Sequence, residues 1–246
     1  MFTSNNITLA KDEVHIWRAG LEVNDIQSLQ QTLSIDEGKR AERFRFQKDR
    51  KHFIVARGFL RKILSRYLGA SPSDLHFCYG ANGKPALTKA FDGDKLKFNL
   101  SHSHGVALYA ITLNRNIGVD IERIRIDFDC EQIAQQFFSP REKAILAKLP
   151  NNIKHEAFFT CWTRKEAYIK ANGQGISLPL EQIDVTFAPG EPAALLDAKW
   201  DSQEARRWSL QNIVINQNYA AAVAVEKHLN VETLHVTSLS LEDVTY

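Results

Sequence analysis

The pattern of apolar and polar positions over residues 11–17 (KDEVHIW) has the look of a first strand. Over 22–33 the period is that of a helix, with Val23, Ile26, Leu29 and Leu33 on one side. Ser34 followed by Glu37 has the spacing of a capping box and predicts a helix start. Between Arg40 and Leu68 a long helical stretch carries Phe44, Phe53, Ile54, Phe59, Leu60, Ile63 and Leu64. Gly69 and the cluster Ser71-Pro72-Ser73-Asp74 end it. Strands are predicted at 75–79, 97–101 and 106–113, the last (VALYAITL) apolar enough to be buried on both faces. Gly118–Glu122 continues the sheet. Helical spacing returns over 131–149, where Ser139-Pro140-Arg141-Glu142 reads as an N-cap, a proline in the first turn and an early acid. A further helix is expected over 153–171, stopping near Gly173, and strands at 182–187, 206–215 and 219–225.

The segment RWSLQNIVINQNYAAAVAV echoes FNLSHSHGVALYAITL in its order of strand, polar turn and apolar strand. With the alternation of helices and strands, this predicts an α+β fold of two similar lobes, residues 1–115 and 116–246. No Pro/Gly-rich linker separates them, so the lobes are expected to pack together.

Composition narrows the function by exclusion. The 31 basic and 29 acidic residues leave a formal charge of +2, so no whole-molecule field points to nucleic acid or an anionic membrane. Basic character is local: the helical stretch from Lys39 to Arg66 carries Arg40, Arg43, Arg45, Lys48, Arg50, Lys51, Arg57, Arg61 and Lys62. Such a face is either a solvated surface or a seat for a phosphate-rich or acidic partner. Cys78, Cys130 and Cys161 are odd in number and widely spaced, forming neither a disulfide framework nor a zinc pattern, which suits a reducing cytoplasm. No stretch approaches the roughly 20 apolar residues needed to span a bilayer, and an intracellular protein without a membrane anchor is expected.

Candidate chemistry begins at Gly118-Val119-Asp120-Ile121-Glu122. Side chains two apart on a strand share a face, so Asp120 and Glu122 stand together while Val119 and Ile121 turn to the core. Two adjacent carboxylates are either a solvated strand end or half of a cation site. On the later helix Trp162, Glu166 and Lys170 fall four apart in one stripe, which serves either as a helix-stabilising Glu–Lys pair or as site chemistry. Three carboxylates without histidine or cysteine match a hard ion such as magnesium, which completes its shell with water and substrate phosphate. Lysines 165 and 170 beside them suit phosphate oxygens. In Phe98-Asn99-Leu100-Ser101-His102-Ser103-His104, adjacent Ser101 and His102 point to opposite strand faces, poor geometry for a nucleophile and its base. Phosphate contact or a turn role fits them better. Asn82-Gly83-Lys84-Pro85 is a turn that pins a lysine, and neither a Walker loop nor a G-x-G-x-x-G is present.

Taken in order, Gly83-Lys84-Pro85, Phe98–Ser103, Ile117–Glu122, Phe137-Phe138-Ser139-Pro140-Arg141-Glu142 and Trp162–Lys170 resemble the Sfp-type 4′-phosphopantetheinyl transferases. With the basic helix before and Gly173–Leu180 after, the resemblance covers about residues 36–182. It implies a monomeric pseudodimer of two α+β lobes with coenzyme A in the cleft between them. It further implies that Asp120, Glu122 and Glu166 hold magnesium, or manganese, together with the coenzyme A diphosphate. Ser101 and His102 would meet the 3′-phosphate side of the cofactor. Lys84, Pro85 and Arg40 would contact the nucleotide, and Lys165 and Lys170 would sit by the diphosphate. Glu37 and Gly38 depart from members that carry a further lysine before the basic helix.

The implied reaction moves phosphopantetheine onto a serine of an acyl or peptidyl carrier protein and releases adenosine 3′,5′-bisphosphate. Glu166, or a water on the metal, would take the serine proton, Asp120 would help hold the diphosphate, and Lys170 would stabilise the leaving group. An acidic carrier domain would dock on the basic helix and the 131–149 region, where Phe137, Phe138 and Leu146 serve as apolar contacts or as core. Two rival readings use the same residues: a metal-dependent phosphohydrolase with water as acceptor, and a nucleotide-binding module whose ion is structural.

Overall fold

The computed structural model describes residues 7–173, 178–227 and 235–240; Gln174–Ser177 of the segment after the second long helix lie outside them. The first half runs β1 (Glu13–Gly20), α1 (Ile26–Gln30), α2 (Ile35–Glu42), α3 (Gln47–Leu68), β2 (Phe77–Tyr79), β3 (Pro85–Leu87), β4 (Leu96–Ser103) and β5 (Val106–Leu113). The second runs β6 (Ile117–Arg123), α4 (Cys130–Phe137), α5 (Pro140–Lys148), α6 (Asn151–Asn172), β7 (Ile183–Val185), β8 (Leu195–Ala198), α7 (Glu204–Arg207), β9 (Trp208–Asn212) and β10 (Tyr219–Glu226), and β11 (His235–Ser240) follows.

Sheet order repeats between the halves. In the first, β1 pairs with β5 and β5 with β4; in the second, β6 pairs with β10 and β10 with β9, all antiparallel. Each three-strand unit carries one 22-residue helix, α3 or α6. The chain division is not strict, because β11 returns to the first sheet and pairs in parallel with β1, giving the order β11-β1-β5-β4.

The alternation of side chains along the central strands explains three layers of core. On β5, Ala107, Tyr109 and Ile111 pack with Val55, Ala56, Leu60 and Ile63 of α3. The intervening Leu108 and Ala110, with Val14 and Ile16, meet Val119, Ile121, Val223 and Val225 of the other sheet. On β10, Ala220, Ala222 and Ala224 face α6. The sheets therefore pack on each other through one face and on their own helix through the other, which is why β5 and β10 read as unbroken apolar runs.

Several boundaries differ from the periodicity. The long helix expected from Arg40 is interrupted: α2 ends at Glu42 and α3 begins at Gln47, with Phe44 turned onto Phe53 at 5.3 Å between ring centroids. The helix expected over 22–33 reduces to five residues capped by Asp25. The 131–149 stretch divides at Ser139, whose side chain caps α5. A helical turn, α7, replaces the first residues of the strand expected from 206.

Candidate active site at the junction of the two sheets

Asp120 and Glu122 project from the face of β6 that looks toward α6. Gly118 occupies the same face, and a Cβ there would lie 2.1 Å from the Ala167 carbonyl oxygen and 2.4 Å from the Ala171 nitrogen. The missing side chain lets α6 lie against the strand. Across the pair, Ala224, Ala222 and Ala220 of β10 stand opposite Gly118, Asp120 and Glu122 and add little bulk. The result brings Lys170 of α6 onto Asp120, with Nζ 2.5 Å from Oδ1.

The other wall is β4, whose Asn99, Ser101 and Ser103 all face β6. Asn99 Oδ1 accepts from the Val119 amide at 2.9 Å, Ser101 Oγ donates to Asp120 Oδ1 at 2.9 Å, and Ser103 Oγ donates to Glu122 Oε2 at 2.9 Å. Lys170 Nζ also donates to Ser101 Oγ at 3.0 Å, closing a triangle. Asp120 is 3% exposed, and its second oxygen, Oδ2, is buried without a hydrogen-bond partner. An unpaired buried carboxylate oxygen is costly, so this one calls for a partner.

Burial, with like charge second, raises the proton affinity of Glu166 and Glu122. Burial first, then Asp120 and Glu122, lift the Glu166 carboxyl above the usual carboxylate range, with Lys170 opposing. Glu122 is lifted by burial and by Asp120, opposed by the Ser103 hydrogen bond, Lys170 and Arg125. The three acids from β6 and α6 thus act on one another. Among the described residues no group of three His, Cys, Asp or Glu side chains is placed to hold a metal ion by itself.

Residues 17–114 match the N-terminal model of 4′-phosphopantetheinyl transferase, and residues 116–224 match the 4′-phosphopantetheinyl transferase superfamily. The chain is 46% identical over 222 residues to the 4′-phosphopantetheinyl transferase HetI of a Nostoc species, covering 89% of this chain and 90% of the relative. It is 30% identical over 220 residues to the 4′-phosphopantetheinyl transferase psf-1 of Bacillus pumilus, covering 89% of each. A solved holo-(acyl-carrier-protein) synthase from Bacillus anthracis is similar at 21% identity and a TM-score of 0.37, over 45% of this chain and 94% of that one. The chain belongs to the 4′-phosphopantetheinyl transferase family. It is accordingly a transferase that moves the phosphopantetheine of coenzyme A onto a carrier protein.

The remaining residues expected in the transferase site are distributed unevenly. Arg40 is exposed on α2 with its guanidinium 5.5 Å from the Phe53 ring centroid. It lines a cavity of about 600 Å³ with Asp36, Lys39, Arg43, Phe44, Tyr79 and Gly83. His102 points away from Ser101, as strand alternation requires, and lies within electrostatic reach of Asp49 and His52 on α3 as well as Lys170. Pro85 and Lys84 line a second, smaller cavity of about 250 Å³, bounded also by Lys97, Ile117 and Asn172. Lys84 Nζ is already engaged by two carbonyls, Ile117 O at 2.9 Å and Lys170 O at 2.6 Å.

Lys165 is a correction. Its side chain is 0% exposed and makes an ion pair with Glu142, equally buried, while Nζ donates to the carbonyls of Leu180 at 2.9 Å and Phe137 at 3.2 Å. Successive helix residues diverge by about 100°; Glu166 faces the acids, so Lys165 is turned into the core. Phe138 and Leu146, considered as docking contacts, are core residues at 0% and 1% exposure. Phe137 packs edge-on against Trp162. Sequence reasoning missed the holding roles of Asn99 and Ser103. The signal was present in the two-residue spacing of Asn99, Ser101 and Ser103, which placed all three polar groups on the face opposite Phe98 and Leu100.

Proposed function

We propose that the transfer occurs at the junction of the sheets, with Asp120, Glu122 and Glu166 holding a magnesium ion together with the diphosphate of coenzyme A. The observation that carries the reading is the buried, unpartnered Oδ2 of Asp120. Oxygen-only donors suit magnesium, an ion that takes few protein ligands and completes its shell with water and phosphate. When bound, such an ion would supply Lewis-acid polarisation of the diphosphate.

The chain's own residues account for the proton and the leaving group. A carrier serine attacks the β-phosphorus, the new bond forms from serine oxygen to phosphorus, and the bond to the bridging oxygen breaks. Glu166 takes the serine proton. Lys170, fixed by Asp120 and Ser101, faces the departing adenosine 3′,5′-bisphosphate and offsets its charge. Ser101 and Asp120 orient that amine and the diphosphate seat. Arg40, and His102 beside α3, contact the nucleotide end through its phosphates.

The two halves, meeting near residue 115, supply opposite walls of the site, which supports action as a monomer. An acidic carrier domain fits the exposed basic side of α2 and α3. Cys78, Cys130 and Cys161 are free thiols, which suits a reducing cytoplasm. Among the described residues no helix is long and apolar enough to cross a membrane.

Mass spectrometry tests the reading. An apo carrier protein incubated with the enzyme, coenzyme A and magnesium should gain about 340 Da, the mass of the phosphopantetheinyl group as a covalent modification. The gain should vanish with chelator. Cofactor hydrolysis without carrier gain would favour a phosphohydrolase, and binding without consumption would leave a binding module.

A further inference from the structure

We propose that Lys84 is a positioning residue that pins the last turn of α6, and with it Lys170, to the start of β6, rather than a ligand of cofactor phosphate. The inference rests on the site reading above and deepens it. The Gly80–Pro85 turn folds back on itself through Gly83 N to Gly80 O at 2.9 Å and Gly80 N to Lys84 O at 3.0 Å, with Gly83 at φ +74°. That left-handed backbone favours glycine and turns the next residue toward the second half of the chain. Lys84 Nζ then reaches two carbonyls on two different elements, Ile117 O on β6 and Lys170 O on α6. Beside it, Asn82 Nδ2 donates to Gly173 O at 3.3 Å. One turn of the first half thus grips the end of α6 at two points.

The grip answers a local need. Carbonyls in the last turn of a helix run out of helical donors, and α6 closes at Gly173, in the left-handed region at φ +81°. A lysine ammonium there is a charge-assisted cap. The direction of the side chain also separates it from the basic cavity. Tyr79 and Gly83 line the space shared with Lys39, Arg40 and Arg43, whereas Lys84 and Pro85 line the space shared with Ile117 and Asn172. The charges acting on Lys84 are those of Lys97 and Lys170, so carbonyl dipoles rather than an ion pair hold it. Since the Lys170 backbone is held by Lys84 while its side chain lies on Asp120, releasing the first lets the second drift, and small displacements of a catalytic group are expensive.

Lys84→Met keeps the aliphatic stem and removes the donors. Steady-state kinetics with coenzyme A and with 3′-dephospho-coenzyme A, and hydrogen exchange of the Ala171, Asn172 and Gly173 amides in the cofactor-free protein, read the two roles apart. The pin predicts a fall in kcat of about tenfold, KM for coenzyme A within about twofold of wild type, and an unchanged KM ratio between the two cofactors. It also predicts exchange about tenfold faster at the three amides. Lys84→Arg, which keeps a cationic donor, should recover part of kcat and of the protection. A KM ratio that collapses toward one, or exchange that matches wild type, overturns the pin. If wild type itself fails to modify a carrier, the site reading has failed, while exchange in the cofactor-free variant still decides the pin. Should Lys84→Met not fold, Lys84→Gln and Asn82→Ala loosen the same grip by steps and carry the same readouts.

Discussion

Glu166 shows how neighbours set the work of a single residue. Its carboxyl is lifted above the usual range by burial and by Asp120 and Glu122, so the native state binds a proton more tightly than the unfolded chain. For an acid with a raised native value the sign is unfavourable at higher pH: metal-free stability falls as pH rises from the usual carboxylate range to the raised value. Glu166→Gln removes that titration. The metal-free variant is expected to melt at or above wild type at neutral pH and to lose part of the decline that sets in as pH rises above the usual carboxylate range, as calorimetry at a series of pH values would record. Its kcat should fall by about 10² or more, the scale of a lost general base. Near-normal turnover at saturating magnesium would remove Glu166 from that role, and parallel melting slopes would remove the repulsion.

At the scale of elements, the site depends on how closely α6 lies against β6. Gly118→Ala would place a methyl carbon 2.1 Å from the Ala167 carbonyl, a backbone atom that has no side-chain freedom to move aside. We expect about 1–3 kcal/mol of destabilisation or more, as for overpacked cores, in a denaturant titration. Activity should fall with it, because the helix that carries Glu166 and Lys170 is pushed off the strand that carries Asp120 and Glu122. Unchanged activity in a folded variant would mean that the close approach is not what assembles the site. What was legible in the sequence follows the same division between local and non-local causes. The capping box at Ser34–Glu37, the N-cap at Ser139 and the stop at Gly173 were readable because each is decided within one helical turn. The shared face of Asp120 and Glu122 was readable from strand period alone. The break between α2 and α3 was not, since Phe44 folds onto Phe53 across the gap. Nor was the fate of Lys165, whose partner Glu142 lies 23 residues away on another helix, nor that of Lys84, whose two acceptors are backbone carbonyls invisible to any side-chain pattern.

For the whole molecule, the face-to-face packing of the two sheets decides whether the halves behave as one unit. Val14, Ile16, Leu108 and Ala110 meet Val119, Ile121, Val223 and Val225 in a shared core, and β11 adds a second tie by returning to the first sheet. The strand that carries Asp120 and Glu122 on one side contributes Val119 and Ile121 to this core on the other, so loss of inter-sheet packing propagates directly to the site. Trp17 reports on the first half and Trp208 on the second, both buried at 1% and 6% exposure. Variants retaining one of these reporters, with Trp162 and Trp200 replaced by Phe, should give coincident urea transitions by fluorescence, as a single cooperative unit requires. Adding Ile121→Ala should shift both midpoints together by the equivalent of about 2–5 kcal/mol, the cost of a large-to-small change in a packed core. Two separated midpoints, or a shift confined to the Trp208 reporter, would mean that the halves fold independently and that the site is assembled only after both have formed.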